Sequence, residues 1–109
     1  MNNEVKTIFY NDLKTNLEIF KISFGYVPLK DKINKLYDLV LYSDPVSVDE
    51  VVELEDKILK KLEVLKENYL LEKFEKMDLI IDELEFLIKE RNVLCKQFKW
   101  LYCYDGNRR

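Results

Sequence analysis

Histidine is absent from this chain of 109 residues, and several other residues on which chemistry depends are scarce. Without histidine the chain lacks the commonest general base and the commonest metal ligand of proteins. Its two cysteines cannot complete a four-thiolate zinc site. The two glycines, Gly25 and Gly106, are too few for a phosphate-binding loop, and none of the five serine and threonine residues lies in a Gly-x-Ser-x-Gly motif. We therefore expect a non-enzymatic protein that uses no cofactor and no metal.

Carboxylates are the reactive groups that remain, with 21 aspartate and glutamate residues against 18 lysine and arginine residues. Asp78, Asp82 and Glu85 are spaced to share one face of a helix. Two such faces could together hold a divalent cation, so a metal-dependent enzyme is the alternative to a non-enzymatic protein. We prefer the interpretation of a solvated acidic face, because some acids align by chance in a chain that has so many.

Glycine and proline are also missing from the sixty residues between Pro45 and Gly106. These two residue types usually interrupt helices, and the apolar residues of this segment recur at helical spacing. Nearer the start of the chain, Gly25 and Pro28 separate two shorter helical patterns. The sequence therefore predicts one all-α domain over residues 1–109, a bundle of three to four helices with a very long C-terminal helix. We place the helices at about 3–24, 28–42 and 48–104, with a tail at 105–109.

The long segment at 48–104 allows two architectures. Its apolar repeat shifts by one residue between Tyr69 and Leu70. We assign Tyr69 to the end of one buried stripe and Leu70 to the start of the next. The segment is therefore either one helix, straight or kinked, or two helices broken near residues 72–78. A continuous helix would be too long for the first two helices to cover, so a second copy would have to bury the rest. We favour the continuous helix in a homodimer with coiled-coil-like packing, because the segment has no composition typical of a loop.

Arg91 is the one charged residue in the apolar stripe of the C-terminal half. We expect its side chain to snorkel to the edge of the helix. The alternative is an ion pair with an acid of a neighbouring helix, such as Asp12 or Glu55. Cys95 follows in the same stripe and is expected to be a buried thiol. Cys103 lies about 12 Å further along a helix, too far for a disulfide between them.

The charge of the chain is unevenly distributed. Residues 46–90 contain seven lysines against fourteen acids, whereas residues 91–109 contain five cations against one acid. Aromatic residues are interleaved with these last cations, a composition that is enriched at protein–protein contacts. Packing of the same aromatics into the core is the structural alternative. The candidate partner-contact residues are Lys96, Lys99, Trp100, Tyr104, Arg108 and Arg109.

These observations favour a small helical interaction or accessory protein that acts through protein–protein contacts as a homodimer. A viral or mobile-element source would fit its composition. One alternative is a nucleic-acid-binding protein that uses the basic aromatic C-terminus. A second is a membrane-proximal immunity-type protein, because Trp, Tyr and Lys together suit a membrane interface. No secretory signal and no transmembrane segment is evident, so we expect a cytoplasmic protein.

Overall fold

The structure of the protein is a computed structural model that describes residues 6–107, with side chains described for residues 6–99. It contains four α-helices, α1 (Ile8–Ser23), α2 (Val27–Leu41), α3 (Val52–Leu70) and α4 (Phe74–Asn107), and a 3-10 turn at Asp49–Val51. Residues 6–107 include no strand. The predicted all-α bundle is therefore confirmed; residues 3–5 of the first predicted helix lie outside the described part of the chain.

The chain reverses direction between α3 and α4, so the continuous helix that we favoured is wrong and the break given as its alternative is present. The turn is Leu71–Lys73. The amide of Lys73 donates to the carbonyl of Asn68 at 2.9 Å, and the amide of Glu72 donates to that of Tyr69 at 3.0 Å. These bonds satisfy the last carbonyls of α3 in a Schellman motif. Glu72 occupies the left-handed position, with φ of 56°, where glycine is usual.

The core lies between the four helices and is built from their apolar stripes. An α-helix has about 3.6 residues per turn, so apolar residues spaced three or four apart line one side of it. That side of each helix faces the other three helices. Burial of each large aliphatic side chain contributes about 1.5–3 kcal/mol. Leu70 is an exception to the predicted stripes: it is exposed because α3 ends there. Fully buried core residues include Leu17, Ile33, Val40, Leu62, Leu65, Met77, Leu84 and Ile88.

At one end of the bundle, the turn between α1 and α2 packs on the turn between α3 and α4. The hydroxyl of Tyr69 accepts a hydrogen bond from the amide of Gly25 at 2.9 Å and donates one to the carbonyl of Ser23 at 3.3 Å. The rings of Tyr26 and Phe74 stack with centroids 3.7 Å apart. This end is therefore closed mainly by aromatic side chains.

At the opposite end, residues 42–51 cross the bundle to connect α2 with α3. The amide of Ser47 donates to the carbonyl of Lys6 at 2.9 Å, which ties the connection to the start of the described chain. Val48 and Val51 are buried there and form a small second core with Cys95 of α4. The long C-terminal part of α4 is thus held against this connection, and its polar residues meet those of the loop.

Candidate functional site

Arg91 is fully buried where α4 meets α3 and the connection that precedes it. Its Nε atom donates to Oε2 of Glu55 at 3.0 Å, and its Nη1 atom donates to the carbonyl of Asp44 at 2.6 Å. The guanidinium also lies 5.0 Å from the ring centroid of Phe9. The predicted snorkelling is therefore wrong, because these neighbours surround the guanidinium and keep it from reaching solvent. The ion pair with Glu55, which we gave as the alternative, is formed.

The remaining polar contacts of this region complete a buried cluster. Glu55 accepts a second hydrogen bond, from the hydroxyl of Ser47 at 2.5 Å. Asn92 accepts from Arg91 Nη1 at 3.2 Å and donates to the hydroxyl of Ser43 at 2.9 Å. Arg91 Nη2 is buried and has no hydrogen-bond partner in the described part of the chain. Most hydrogen-bond donors and acceptors of these side chains are therefore paired within the fold. The cluster joins α3, α4 and the connection between α2 and α3 to one another.

Asp44 and Lys99 form an ion pair at the edge of this cluster. Burial alone would raise the pKa of Asp44, but hydrogen bonds from Lys99 and from the amide of Val46 outweigh it and leave that pKa below its ordinary value. Lys99 is half-buried. One of the cations that we assigned to partner contact is therefore paired within the fold.

The other candidate partner-contact residues are not gathered into a described site. Lys96 is exposed on α4, one turn before Lys99. The backbone of Trp100 and Tyr104 continues α4, while their side chains lie beyond those described. Arg108 and Arg109 follow the last described residue. For the basic aromatic tail the prediction thus stays a prediction.

The acidic face predicted on α4 contacts a lysine of α2. Lys32 Nζ lies 2.5 Å from Oδ1 of Asp78 and 2.9 Å from Oδ1 of Asp82. Hydrogen bonds to these two carboxylates raise the pKa of Lys32 against the opposing effect of desolvation. Glu85 pairs with Lys89 of the same helix at 3.4 Å. Among the described residues there is no group of three or more His, Cys, Asp or Glu that could hold a metal ion.

The side of α4 that faces away from its buried stripe has a row of exposed apolar side chains. Leu79, Phe86 and Val93 recur every seven residues and are 64%, 67% and 64% exposed. The next position of this register is Trp100. The row is not among the candidate sites predicted from the sequence. Its signal was the seven-residue spacing of apolar residues outside the buried stripe of the same helix. We refer to Leu79, Phe86 and Val93 as the outer row.

A shallow groove lies beside the outer row, between α3 and α4. An ion pair of 2.7 Å between Lys61 and Glu83 crosses it and shows the level at which the two antiparallel helices pair. From this register, Val64 of α3, which is 41% exposed, lies near the level of Leu79. Both signs of charge border the apolar floor. The residues around the groove are Lys57, Lys61, Asp82, Glu83, Phe86 and Leu87.

Cys95 is buried beside the polar cluster, as its place in the stripe predicted. Burial raises the pKa of its thiol, which keeps it protonated and unreactive at neutral pH. No helix of the described residues combines the length and the apolar character that crossing a bilayer requires.

Comparison of the chain with protein-family models, curated proteins and solved structures finds no match.

Proposed function

We propose that the protein is a non-enzymatic helical interaction protein, homodimeric, which binds an α-helix of a different protein along the outer row of α4. The observation that carries this proposal is the alignment of Leu79, Phe86 and Val93, each about two-thirds exposed, on one side of a single helix. Isolated exposed apolar residues are ordinary on protein surfaces, whereas contiguous apolar areas mark contacts with partners.

The spacing and the flanking charges support a helical partner. A seven-residue repeat stays on one side of an α-helix, so a second helix lying alongside can contact every member of the row. Complete burial of one large apolar side chain contributes about 1.5–3 kcal/mol, so three part-buried ones can supply a substantial share of a micromolar affinity. Lys57 and Lys61 border one side of the groove and Asp82 and Glu83 the other. Mixed charge of this kind suits a polypeptide better than a polyphosphate backbone.

The nucleic-acid alternative has less support from the same surface. It depends on cations that are free to contact phosphates, and each such contact adds to affinity through counterion release. Lys99 is held by Asp44 instead, and Lys96 lies in a helix whose preceding turns carry several acids. We therefore retain protein contact as the function that the geometry favours.

The experiment is site-specific photo-crosslinking in cells that produce the protein. A photoreactive phenylalanine analogue replaces Phe86, and the matched control carries it at Ile22, which is 79% exposed on α1. We expect a crosslink to one defined protein from position 86 and none from position 22. Leu79→Lys in the same chain should abolish that crosslink while leaving the helical circular dichroism spectrum unchanged.

Two outcomes would refute the proposal. Equal products from both positions, or none from position 86, would mean that the outer row has no partner. A product with the mass of two copies of this chain would assign the row to self-association instead of to a different protein.

A further inference from the structure

The turn between α3 and α4 is strained at a residue that is poorly suited to it. Glu72 has φ of 56°, in the left-handed region where the side chain of an L-residue crowds the following carbonyl. Glycine, which avoids this crowding, is the usual residue at this position of a Schellman motif. The hairpin is thus formed despite a local conformational cost.

The same three residues are well suited to a straight helix. Leu71, Glu72 and Lys73 belong to residue types with high helix propensity, and the segment Val46–Asp105 contains no glycine or proline. A continuous backbone from α3 into α4 would remove the left-handed conformation at Glu72. The hairpin must therefore be maintained by the packing of α4 on the rest of the bundle.

A second copy of the chain can provide that same packing. If α3 and α4 form one straight helix, α4 can no longer fold back onto its own α3, but it can pack on the α3 of another chain. The core packing that α3 residues such as Leu62 and Leu65 share with α4, and the Lys61–Glu83 ion pair, would then re-form between chains. Exchange of an identical element is a low-cost route to a dimer, because it reuses an interface that is already complementary.

We propose that the protein dimerises by exchanging α4 between two copies, with residues 71–73 straightening into a continuous helix. This inference deepens the homodimer included in the proposed function. It leaves the outer row exposed in both forms, because the exchanged α4 buries the same side chains against the α3 of the other chain.

The first test is Glu72→Gly, with Glu72→Ala as its matched control. Glycine removes the steric crowding of the left-handed conformation in the hairpin, and it lowers the helix propensity of the straight form. Both effects favour the monomer, and each counts twice because a dimer contains two chains. We expect the dimer dissociation constant, measured by sedimentation, to rise on the order of a hundredfold. Alanine retains a Cβ atom and helix propensity, so the Glu72→Ala protein should dimerise at least as well as the wild type. Equal dimerisation of the glycine and alanine variants would overturn the proposal.

The second test identifies which chains are joined across the α3–α4 interface. A carbodiimide links a lysine amine directly to a carboxylate in contact with it, and the Lys61–Glu83 pair is 2.7 Å apart. Unlabelled and 15N-labelled chains are unfolded together, refolded at high concentration, crosslinked and separated by size. Mass spectrometry should find mixed-isotope Lys61–Glu83 links in the dimer fraction and single-isotope links in the monomer fraction.

Single-isotope links alone in the dimer would show that two hairpins associate by their surfaces, and the absence of any dimer would equally refute exchange. These results are independent of the photo-crosslinking test. Loss of the crosslink at Phe86 would refute the partner surface and leave exchange intact, whereas an unexchanged dimer would do the reverse.

Discussion

Removal of either member of the Arg91–Glu55 pair should destabilise the protein far more than removal of an ordinary surface charge. Arg91 is 0% exposed and Glu55 7% exposed, and the two are joined at 3.0 Å. Arg91→Met leaves a buried carboxylate whose described partner is the hydroxyl of Ser47. Glu55→Leu leaves a buried guanidinium whose Nε and Nη2 atoms both lack a partner in the described chain.

The expected loss is about 3–5 kcal/mol in the free energy of unfolding for each single variant, because an uncompensated charge stays in the interior. The double variant Arg91→Met with Glu55→Leu contains neither charge. Its remaining costs are the lost hydrogen bonds of the Ser47 hydroxyl, the Asp44 carbonyl and the Asn92 side-chain oxygen. Each should cost about 0.5–1.5 kcal/mol, because these three residues are only half-buried, and the new apolar contacts offset part of the sum. The double variant should therefore be more stable than either single variant.

Urea unfolding followed by circular dichroism at neutral pH measures these differences. The matched control is Lys89→Met, which removes an exposed pair with Glu85 at 3.4 Å and should cost less than about 0.5 kcal/mol. Where a single variant is too unstable for a full transition, Ser47→Ala supplies a milder change. It removes one hydrogen bond to the carboxylate and should cost about 1.5–3 kcal/mol. Single variants that lose under 1 kcal/mol, or losses that add in the double variant, would refute the account of a buried, mutually compensating pair.

Three further predictions concern the two ends of the bundle. Tyr69→Phe should cost about 1 kcal/mol of unfolding free energy, since it removes the hydroxyl that joins the two turns; no measurable loss would contradict that role. The lowered pKa of Asp44 means that its ionised form stabilises the fold above pH 3.8, a contribution that is lost as the pH falls through the folded-state value. The stability difference between wild type and Asp44→Asn should thus be constant above about pH 5 and narrow in acid, and a constant difference throughout would disprove it. In a Cys103→Ser background, Cys95 should react with a thiol reagent only after urea unfolding, because it is fully buried; rapid labelling of the native protein would show otherwise.

The sequence predicted best those helix ends that have a local chemical cause. Gly25 and Pro28 separate α1 from α2, and the second helix was placed at 28–42 against Val27–Leu41 in the structure. Pro28 can occupy a first helical turn because the amide there has no intrahelical partner. These boundaries follow from the properties of one or two residues, so a sequence pattern is sufficient to find them.

The break between α3 and α4 has no such local cause. Its residues favour helix, and the hairpin depends on the apolar stripes of two helices burying each other at long range. The one available signal was the slip of the apolar repeat between Tyr69 and Leu70, which falls just before the turn. The absence of turn residues favours one helix, but burial of the two apolar stripes against each other within one chain outweighs that preference.

The polar cluster and the outer row could not be predicted from the sequence for a related reason. The identity of Glu55 as the partner of Arg91 depends on the level at which α3 and α4 pair, which the turn at residues 71–73 determines. Likewise, Phe86 could be assigned to the surface only after the buried side of α4 was known. Pairwise geometry between helices, and not the composition of either helix, decides both features.

The position of the ion pair also determines that it affects a different property from the turn at residues 71–73. Arg91 and Glu55 lie on α4 and α3 far from Glu72, at the end of the bundle where the connection from α2 arrives. After exchange of α4, Arg91 of one chain would meet Glu55 of the other in the same surroundings. Changes to the pair should therefore weaken monomer and dimer alike, while changes at Glu72 alter the balance between them. A variant of Arg91 that shifted the monomer–dimer equilibrium without loss of stability would contradict this division.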